Sequence, residues 1–265
     1  MKRIVLVMKT LKQKLVDRDK VCGSHVLMND FISSDIVSSL DYDFIWVDTE
    51  HSCIDNAALL NHIAIIKNKG KSVLVRVHQD DFNHTKHVLE MGPDGIIFPM
   101  INTREEAEKA IKSTYYPPRG NRGCGPLRAC CWGGESLTDY KKREDDFIRC
   151  VQIETRQAVE NLEDILTVDG IDCFIFGPCD LSASIGKFSE VFSDENLYWI
   201  KRGTEILKKA GKSIGVSYGG TSDGEALKRW NDLGMNLISS GSDYEAIRRA
   251  GELQLELLKK AQGRN

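Results

Sequence analysis

The sequence predicts an α/β protein folded as a (β/α)8 barrel. Three observations predict it. Short apolar, strand-like runs alternate with helix-period segments eight times along the 265 residues. No composition break marks a second domain, so residues 1–265 are expected to form one domain, close to the roughly 250 residues of such barrels. Finally, no G-x-G-x-x-G follows the first strand, which counts against an open doubly wound sheet.

The elements follow in order. Residues 1–8 begin with positive charge, but their apolar stretch is short and a charged run follows at once, so no signal peptide is expected. Residues 9–19 read as a charged helix and 21–27 as the first strand. A short helix over 30–40 is expected to turn Phe31, Ile32, Ile36 and Val37 inward. The second strand, 43–48, opens into Thr49-Glu50-His51. In 56–69, Leu59, Leu60, Ile63 and Ile66 have helical spacing and Gly70 stops the helix. The pattern recurs as strand 72–77, helix 83–91 stopped by Gly92, and strand 95–100. Thr103 and Glu106 then form a capping box for a helix to residue 113. A long segment, 115–146, starts rich in Pro and Gly. The remaining strands are 148–153, 173–176, 213–218 and 235–239, with helices over 158–169, 197–210, 225–233 and 243–261.

Two apolar strands end on acids: Val151-Gln152-Ile153-Glu154 and the run into Gly177-Pro178-Cys179-Asp180. One helix-sized segment separates them, so the strands are expected to be parallel neighbours with both carboxylates at their C-terminal ends. Two carboxylates side by side in a buried mouth call for a cation or a proton between them. A divalent metal site is the working expectation. Active-site residues of barrels collect at the strands' C-terminal ends. That rule selects Asp48, Glu50 and His51 after strand two, Arg76 at strand three, Gln152 and Glu154 from strand five, and Asp180 past strand six. Two carboxylates suit Mg²⁺ or Mn²⁺, and the guanidinium offers paired donors to a carboxylate or enolate oxygen. A histidine beside a carboxylate can act as base, with Asp48 fixing its tautomer. The competing structural reading pairs Glu154 and Asp180 with Arg76 in an ion network.

Composition excludes several classes. A net charge of −3 and scattered Lys and Arg give no footprint for nucleic acid. No run approaches the ~20 apolar residues of a membrane span, and a cytoplasmic protein is expected. The eight cysteines contain no C-x-x-C pair and read as reduced, mostly buried thiols. Schiff-base chemistry needs a lysine at a strand's C-terminal end, whereas Lys71 and Lys212 precede strands.

Five ordered blocks carry a family resemblance: Asp48-Thr49-Glu50-His51, Leu74-Val75-Arg76, Tyr116-Pro117-Pro118-Arg119-Gly120-Asn121-Arg122-Gly123, Gln152-Ile153-Glu154-Thr155 and Gly177-Pro178-Cys179-Asp180-Leu181-Ser182. Over roughly residues 20–260 the chain resembles the HpcH/HpaI family of metal-dependent pyruvate aldolases, which act on 4-hydroxy-2-oxo acids and 2-keto-3-deoxy sugar acids. The resemblance implies a TIM barrel of the phosphoenolpyruvate/pyruvate type. It also implies a homo-hexamer built as a dimer of trimers, with the last helix exchanged between barrels. Glu154 and Asp180 would be the ligands of Mg²⁺ or Mn²⁺, with Co²⁺ and Zn²⁺ as further candidates. Arg76 would bind the keto and enolate oxygen of pyruvate with Gln152 nearby, and the backbone N–H groups of Cys179 and Asp180 would hold its carboxylate. His51, paired with Asp48, would be the acid/base through a metal-bound water. The implied reaction is reversible cleavage of the C3–C4 bond to pyruvate and an aldehyde.

Three departures from the family pattern stand out. Thr49 replaces a common Gly and Cys179 a small residue, and both are expected to narrow the mouth. Glu90 replaces an Asp that in relatives reaches an adjacent subunit's site, where it would bear on aldehyde binding. The segment 124–134, with Arg128 and Cys130-Cys131-Trp132, is expected to shape the aldehyde pocket. Two other functions remain open at this level: an acyl-CoA ester lyase of the citrate lyase β-subunit type, and a metabolite-binding barrel without catalysis.

Overall fold

The strands are buried almost throughout, on both faces of the sheet. The computed structural model describes residues 9–218 and 223–264; residues 1–8, weighed above as a leader, lie outside them. Eight parallel strands pair in sequence order into a closed barrel. They are β1 (Val21–Val26), β2 (Phe44–Asp48), β3 (Ser72–Arg76), β4 (Gly95–Phe98), β5 (Ile148–Ile153), β6 (Cys173–Phe176), β7 (Ser213–Tyr218) and β8 (Leu237–Ser242). The expected (β/α)8 architecture is therefore the observed one.

Because successive side chains point to opposite faces, the strands build two cores. Inside the barrel Phe44, Trp46, Leu74, Ile97, Cys150, Ile175 and Leu237 pack together, and Leu11 and Leu15 of the helix Leu11–Val16 join them from below. Gly23 makes room here: a Cβ on it would sit 2.4 Å from the Phe44 ring. Outside, Ile45, Val47, Val73, Val75, Val151, Ile153, Phe174 and Phe176 meet the helices. Each strand thus carries apolar residues on both faces, as buried parallel strands do. At their C-terminal ends the inward series turns polar.

Several elements differ from expectation. The helix Ile32–Ser38 buries Ser33, Ser34 and Ser38, while Phe31, Ile32 and Ile36 are exposed. Of the four expected apolar contacts Val37 packs on the core, and Ser34 Oγ, 2.7 Å from His62 Nδ1, adds a polar contact that seats this helix. The segment expected as one helix over 158–169 is two short helices, Arg156–Glu160 and Leu162–Ile165, broken at Asn161, whose amide donates to the Asn102 carbonyl at 2.8 Å. A further helix, Pro178–Ser184, follows β6, with Pro178 in its first turn. Cysteines 22, 53, 124, 131 and 179 are exposed and only 130, 150 and 173 are buried, all free, which corrects the expectation of mostly buried thiols. Among the described residues no helix is long and apolar enough to cross a membrane.

Candidate active site

The β2 and β3 ends meet first, because Asp48 and Arg76 are register partners. Arg76 Nε donates to Asp48 Oδ1 at 3.0 Å, and its Nη2 donates to Oδ2. Its Nη1 faces Glu50 Oε2 at 3.1 Å and Gln152 Oε1 at 3.4 Å. Burial opposes charge on Asp48, but the hydrogen bonds and charge of Arg76 outweigh it and hold the carboxyl below its ordinary pKa. Burial likewise opposes charge on Arg76, and Asp48 and Glu50 more than offset it. This pair is ionised.

Glu154 is different. It leaves β5 on the inward face, two residues past Gln152, and is 2% exposed. Oε1 accepts the Met100 N–H at 2.7 Å and Oε2 accepts from Gln152 Nε2 at 2.8 Å. Met100 presents that N–H from a left-handed conformation, φ +53°, uncommon for a residue with a side chain. Gly177 has the matching role across the β5–β6 pair: a Cβ there would lie 2.3 Å from Glu154 Oε2. Among the described residues no cationic side chain lies within ion-pair distance of Glu154. Burial pushes its pKa up to about 8, and the negative charges of Asp180 and Glu50 add to the rise, against the pull of the Met100 N–H and Arg76. The ion-network alternative, Arg76 bridging to Glu154 and Asp180, is not what forms; the carboxylate partners of Arg76 are Asp48 and Glu50.

Asp180 projects from the first turn of the helix Pro178–Ser184 and is exposed at the rim. The N–H groups of Cys179 and Asp180 lie in that first turn, where no intrahelical acceptor exists. A buried, electrostatically crowded glutamate with an aspartate beside it is a hard-oxygen donor set that fits a divalent cation. No group of three or more His, Cys, Asp or Glu side chains forms a metal cage among the described residues. Glu154 and Asp180 are the two carboxylates that could hold a cation.

His51 stands at the rim, its side chain 64% exposed, with Nε2 3.8 Å from Glu50 Oε2. The expected Asp48–His51 side-chain pairing is absent. Asp48 is engaged by Arg76 and accepts the backbone N–H groups of Glu50 and His51 at 2.9 and 3.3 Å. Glu50 is thus the acid beside His51, a part not assigned from sequence; it also faces Arg76, and burial raises its pKa.

Thr49 does not narrow the mouth. It is buried on the opposite face from Asp48, its hydroxyl donating to the Arg76 carbonyl at 2.5 Å and lying 3.0 Å from His84 Nε2. His78 Nε2 donates to the Thr49 carbonyl at 2.6 Å, and the rings of His78 and His84 stack at 4.1 Å. Thr49 ties β2 to β3 beneath the site. Glu90 lies on the last turn of the helix Phe82–Met91, which has run back to the barrel's N-terminal end, and pairs there with Arg122 at 3.4 Å. The segment 124–134 sits at that end too. Arg128 donates to the Met91 carbonyl at 2.5 Å and Ala129 N–H to the Glu90 carbonyl at 3.1 Å. Neither Glu90 nor this segment lines the mouth of its own barrel, so any part they have in a site is at that of an adjacent subunit.

Comparisons with known proteins agree with this geometry. The sequence profile of the HpcH/HpaI aldolase/citrate lyase family matches residues 24–250. A 4-hydroxy-2-oxo-heptane-1,7-dioate aldolase from Shigella flexneri is 31% identical over 83% of this chain and 82% of its own. A hydroxypyruvate/pyruvate aldolase from Roseovarius nubinhibens is 27% identical over 88% of this chain and 90% of its own. A crystal structure of an HpcH/HpaI aldolase/citrate lyase family protein from Burkholderia cenocepacia superposes with a TM-score of 0.88 at 25% identity, covering 95% of this chain and all of the other. With the closed barrel and the acidic strand ends already in place, the profile match over most of the chain shows that it belongs to the HpcH/HpaI aldolase/citrate lyase family.

Proposed function

We propose that the protein is a divalent-metal-dependent aldolase that cleaves a 4-hydroxy-2-oxo acid reversibly to pyruvate and an aldehyde. Membership of the family, with aldolases among its relatives, supports a carbon–carbon lyase. The observation that carries the metal reading is Glu154: buried, without a cationic partner, and pressed by Asp180 and Glu50 at the open end of the barrel.

In this reading Glu154 and Asp180 hold Mg²⁺ or Mn²⁺. The bound cation supplies Lewis acidity toward the 2-oxo group. The first-turn N–H groups of Cys179 and Asp180 receive the substrate carboxylate. Arg76, locked by Asp48 and oriented by Gln152, places fixed positive charge where the 2-oxo oxygen gains electron density. His51, beside Glu50, removes the C4 hydroxyl proton. The electron pair of the breaking C3–C4 bond then becomes the enolate of pyruvate, C4 leaves as the aldehyde, and the proton taken up by His51 is returned to C3, which restores the neutral histidine.

Assembly belongs to the same proposal. The helix Asp243–Ala261 buries only Asp243, and Ile247, Leu253 and Leu257 are exposed along it. Docked on a neighbouring barrel, as in a hexamer, this face would be covered, and Glu90 would serve an adjacent subunit's site. The exposed free thiols suit a reducing compartment, the cytoplasm.

The test is an aldehyde panel with pyruvate, run with Mn²⁺ and with EDTA. Carbon–carbon bond formation abolished by the chelator and restored by metal is the expected result. Activity that persists in EDTA would overturn the metal mechanism, and failure to exchange the methyl protons of pyruvate in D₂O would leave only a binding protein.

A further inference from the structure

The mechanism above uses the β2–β6 side of the mouth. The opposite wall, from β7, β8 and β1, holds polar groups that it does not use. His25 points into the barrel from β1, 5% exposed, its ring 5.1 Å from Trp46. Arg76 lies over the same Trp46 ring at 5.5 Å, so one indole separates His25 from the site's central cation. On the far side of His25 the β1–β8 register slips: Gly23 is opposite Ser239 and His25 opposite Ser242. The extra residue is a bulge on β8, where Gly241 takes φ +75° and its carbonyl meets His25 Nδ1 at 3.0 Å. His25 Nε2 lies 3.1 Å from Ser217 Oγ near the end of β7. Ser217 faces inward, because Gly215 two residues earlier abuts the interior residues Ile175 and Leu237.

The directions of these bonds are fixed. A carbonyl oxygen can only accept, so Nδ1 of His25 carries the ring proton. Burial drives the basicity of His25 down to about 4, so at neutral pH the ring is uncharged and Nε2 has a lone pair. Nε2 must accept the Ser217 hydroxyl proton. A hydroxyl has a single proton to give, so the half-buried Ser217 oxygen can only accept from anything bound in the mouth. Ser239, opposite Ser217 in the β7–β8 register, keeps a fully buried hydroxyl without a partner among the described residues. This wall therefore carries more polar capacity than the fold itself satisfies, unlike the apolar layer of Trp46, Leu74 and Leu237.

We propose that Ser217, its proton held by His25, is a specificity residue that selects a substrate carrying a hydroxyl group over one carrying a methyl, carbonyl or carboxylate there. The inference rests on the aldolase reading and deepens it. The hydroxyl belongs either to the 2-oxo acid or to the aldehyde, and two arms of one experiment separate them. The first compares hydroxypyruvate with pyruvate as donor toward a common aldehyde. The second compares glycolaldehyde with acetaldehyde as acceptor toward pyruvate.

One arm should favour the hydroxyl-bearing partner in kcat/KM. Ser217→Ala should lower that preference roughly three- to tenfold, the worth of one hydrogen bond, chiefly through KM. Ser217→Thr should restore it. His25→Phe frees the Ser217 proton to donate, so preference should move toward an acceptor-bearing aldehyde such as glyoxylate. Imidazole ¹⁵N shifts of the intact protein should place the His25 proton on Nδ1, a readout that does not depend on a buried variant folding. Wild-type protein inactive across both arms with Mn²⁺ overturns the aldolase reading and this inference with it. Active protein whose ratios Ser217→Ala leaves unchanged, or a proton found on Nε2, overturns this inference alone.

Discussion

Arg76 and Asp48 face each other at the ends of β3 and β2, and two hydrogen bonds from Nε and Nη2 to the carboxylate fix the guanidinium plane. Only Nη1 remains, turned toward Glu50 and Gln152. Asp48 is therefore the residue that positions Arg76, rather than the partner of His51. Asp48→Asn keeps the shape but leaves a buried cation with Glu50 as its remaining carboxylate. We expect a loss of about 3 kcal/mol in urea unfolding and a fall in kcat larger than the change in KM. Arg76→Ala should keep Mn²⁺ affinity while lowering turnover about 100-fold or more. Full activity in either variant would remove Arg76 from the mechanism.

Gly177 tests the carboxylate itself. With Met100 and Gln152 holding both oxygens of Glu154, and a Cβ at position 177 only 2.3 Å from Oε2, the side chain has no free direction in which to retreat. Gly177→Ala should weaken Mn²⁺ binding by about tenfold, the effect of a displaced ligand oxygen, while circular dichroism stays native. Titration followed by electron paramagnetic resonance reads this directly. Unchanged affinity would mean that Glu154 does not bind the metal.

The barrel was legible in the sequence because its signal is repetition: an error of a few residues in any one strand, as at β8, does not change the order. The strand-end filter also brought Asp48, Arg76, Gln152 and Glu154 together, since inward residues at one end of a barrel must converge. Pairing was less legible. Nothing in Asp48-Thr49-Glu50-His51 says that Asp48 faces Arg76 while Glu50 faces His51; that follows from the register of β2 on β3. His25 was hidden for a similar reason, because its partners Ser217 and Gly241 lie nearly two hundred residues or more away, the separations being 192 and 216. The helix Ile32–Ser38 misled because its apolar face is exposed in a single chain.

The last helix makes a prediction about assembly. Ile247, Leu253 and Leu257 are more than half exposed, at 61, 60 and 53%. An apolar helix face of this extent is the kind of surface that the proposed subunit contact would cover. Leu253→Glu with Leu257→Glu should lower the mass measured by light scattering to that of a smaller species. If the helix completes a neighbour's site, activity should fall with the mass. A wild-type chain that is monomeric at micromolar concentration would exclude the exchange.

Titration of Glu154 links stability to metal. Its folded carboxyl has a pKa of about 8, against an ordinary value of 4.5. Below pH 4.5 the folded and unfolded chains both hold the proton. Between 4.5 and about 8 the unfolded chain gives it up first, so folding binds a proton and the stability of metal-free protein declines as pH rises, levelling off above 8. Glu154→Gln removes this dependence, and its metal-free melting temperature should exceed that of the wild type at pH 8, with the gap closing toward pH 4.5. Bound metal takes the place of the same proton. Wild-type affinity for Mn²⁺ should therefore rise by up to about tenfold per pH unit between 6 and 8, with close to one proton released per site near neutrality. Calorimetry in buffers of different ionisation enthalpy measures that proton. An affinity flat over this range would show that the carboxyl is already ionised in the metal-free protein, and the crowding of Glu154 by Asp180 and Glu50 would then need another neutralising partner.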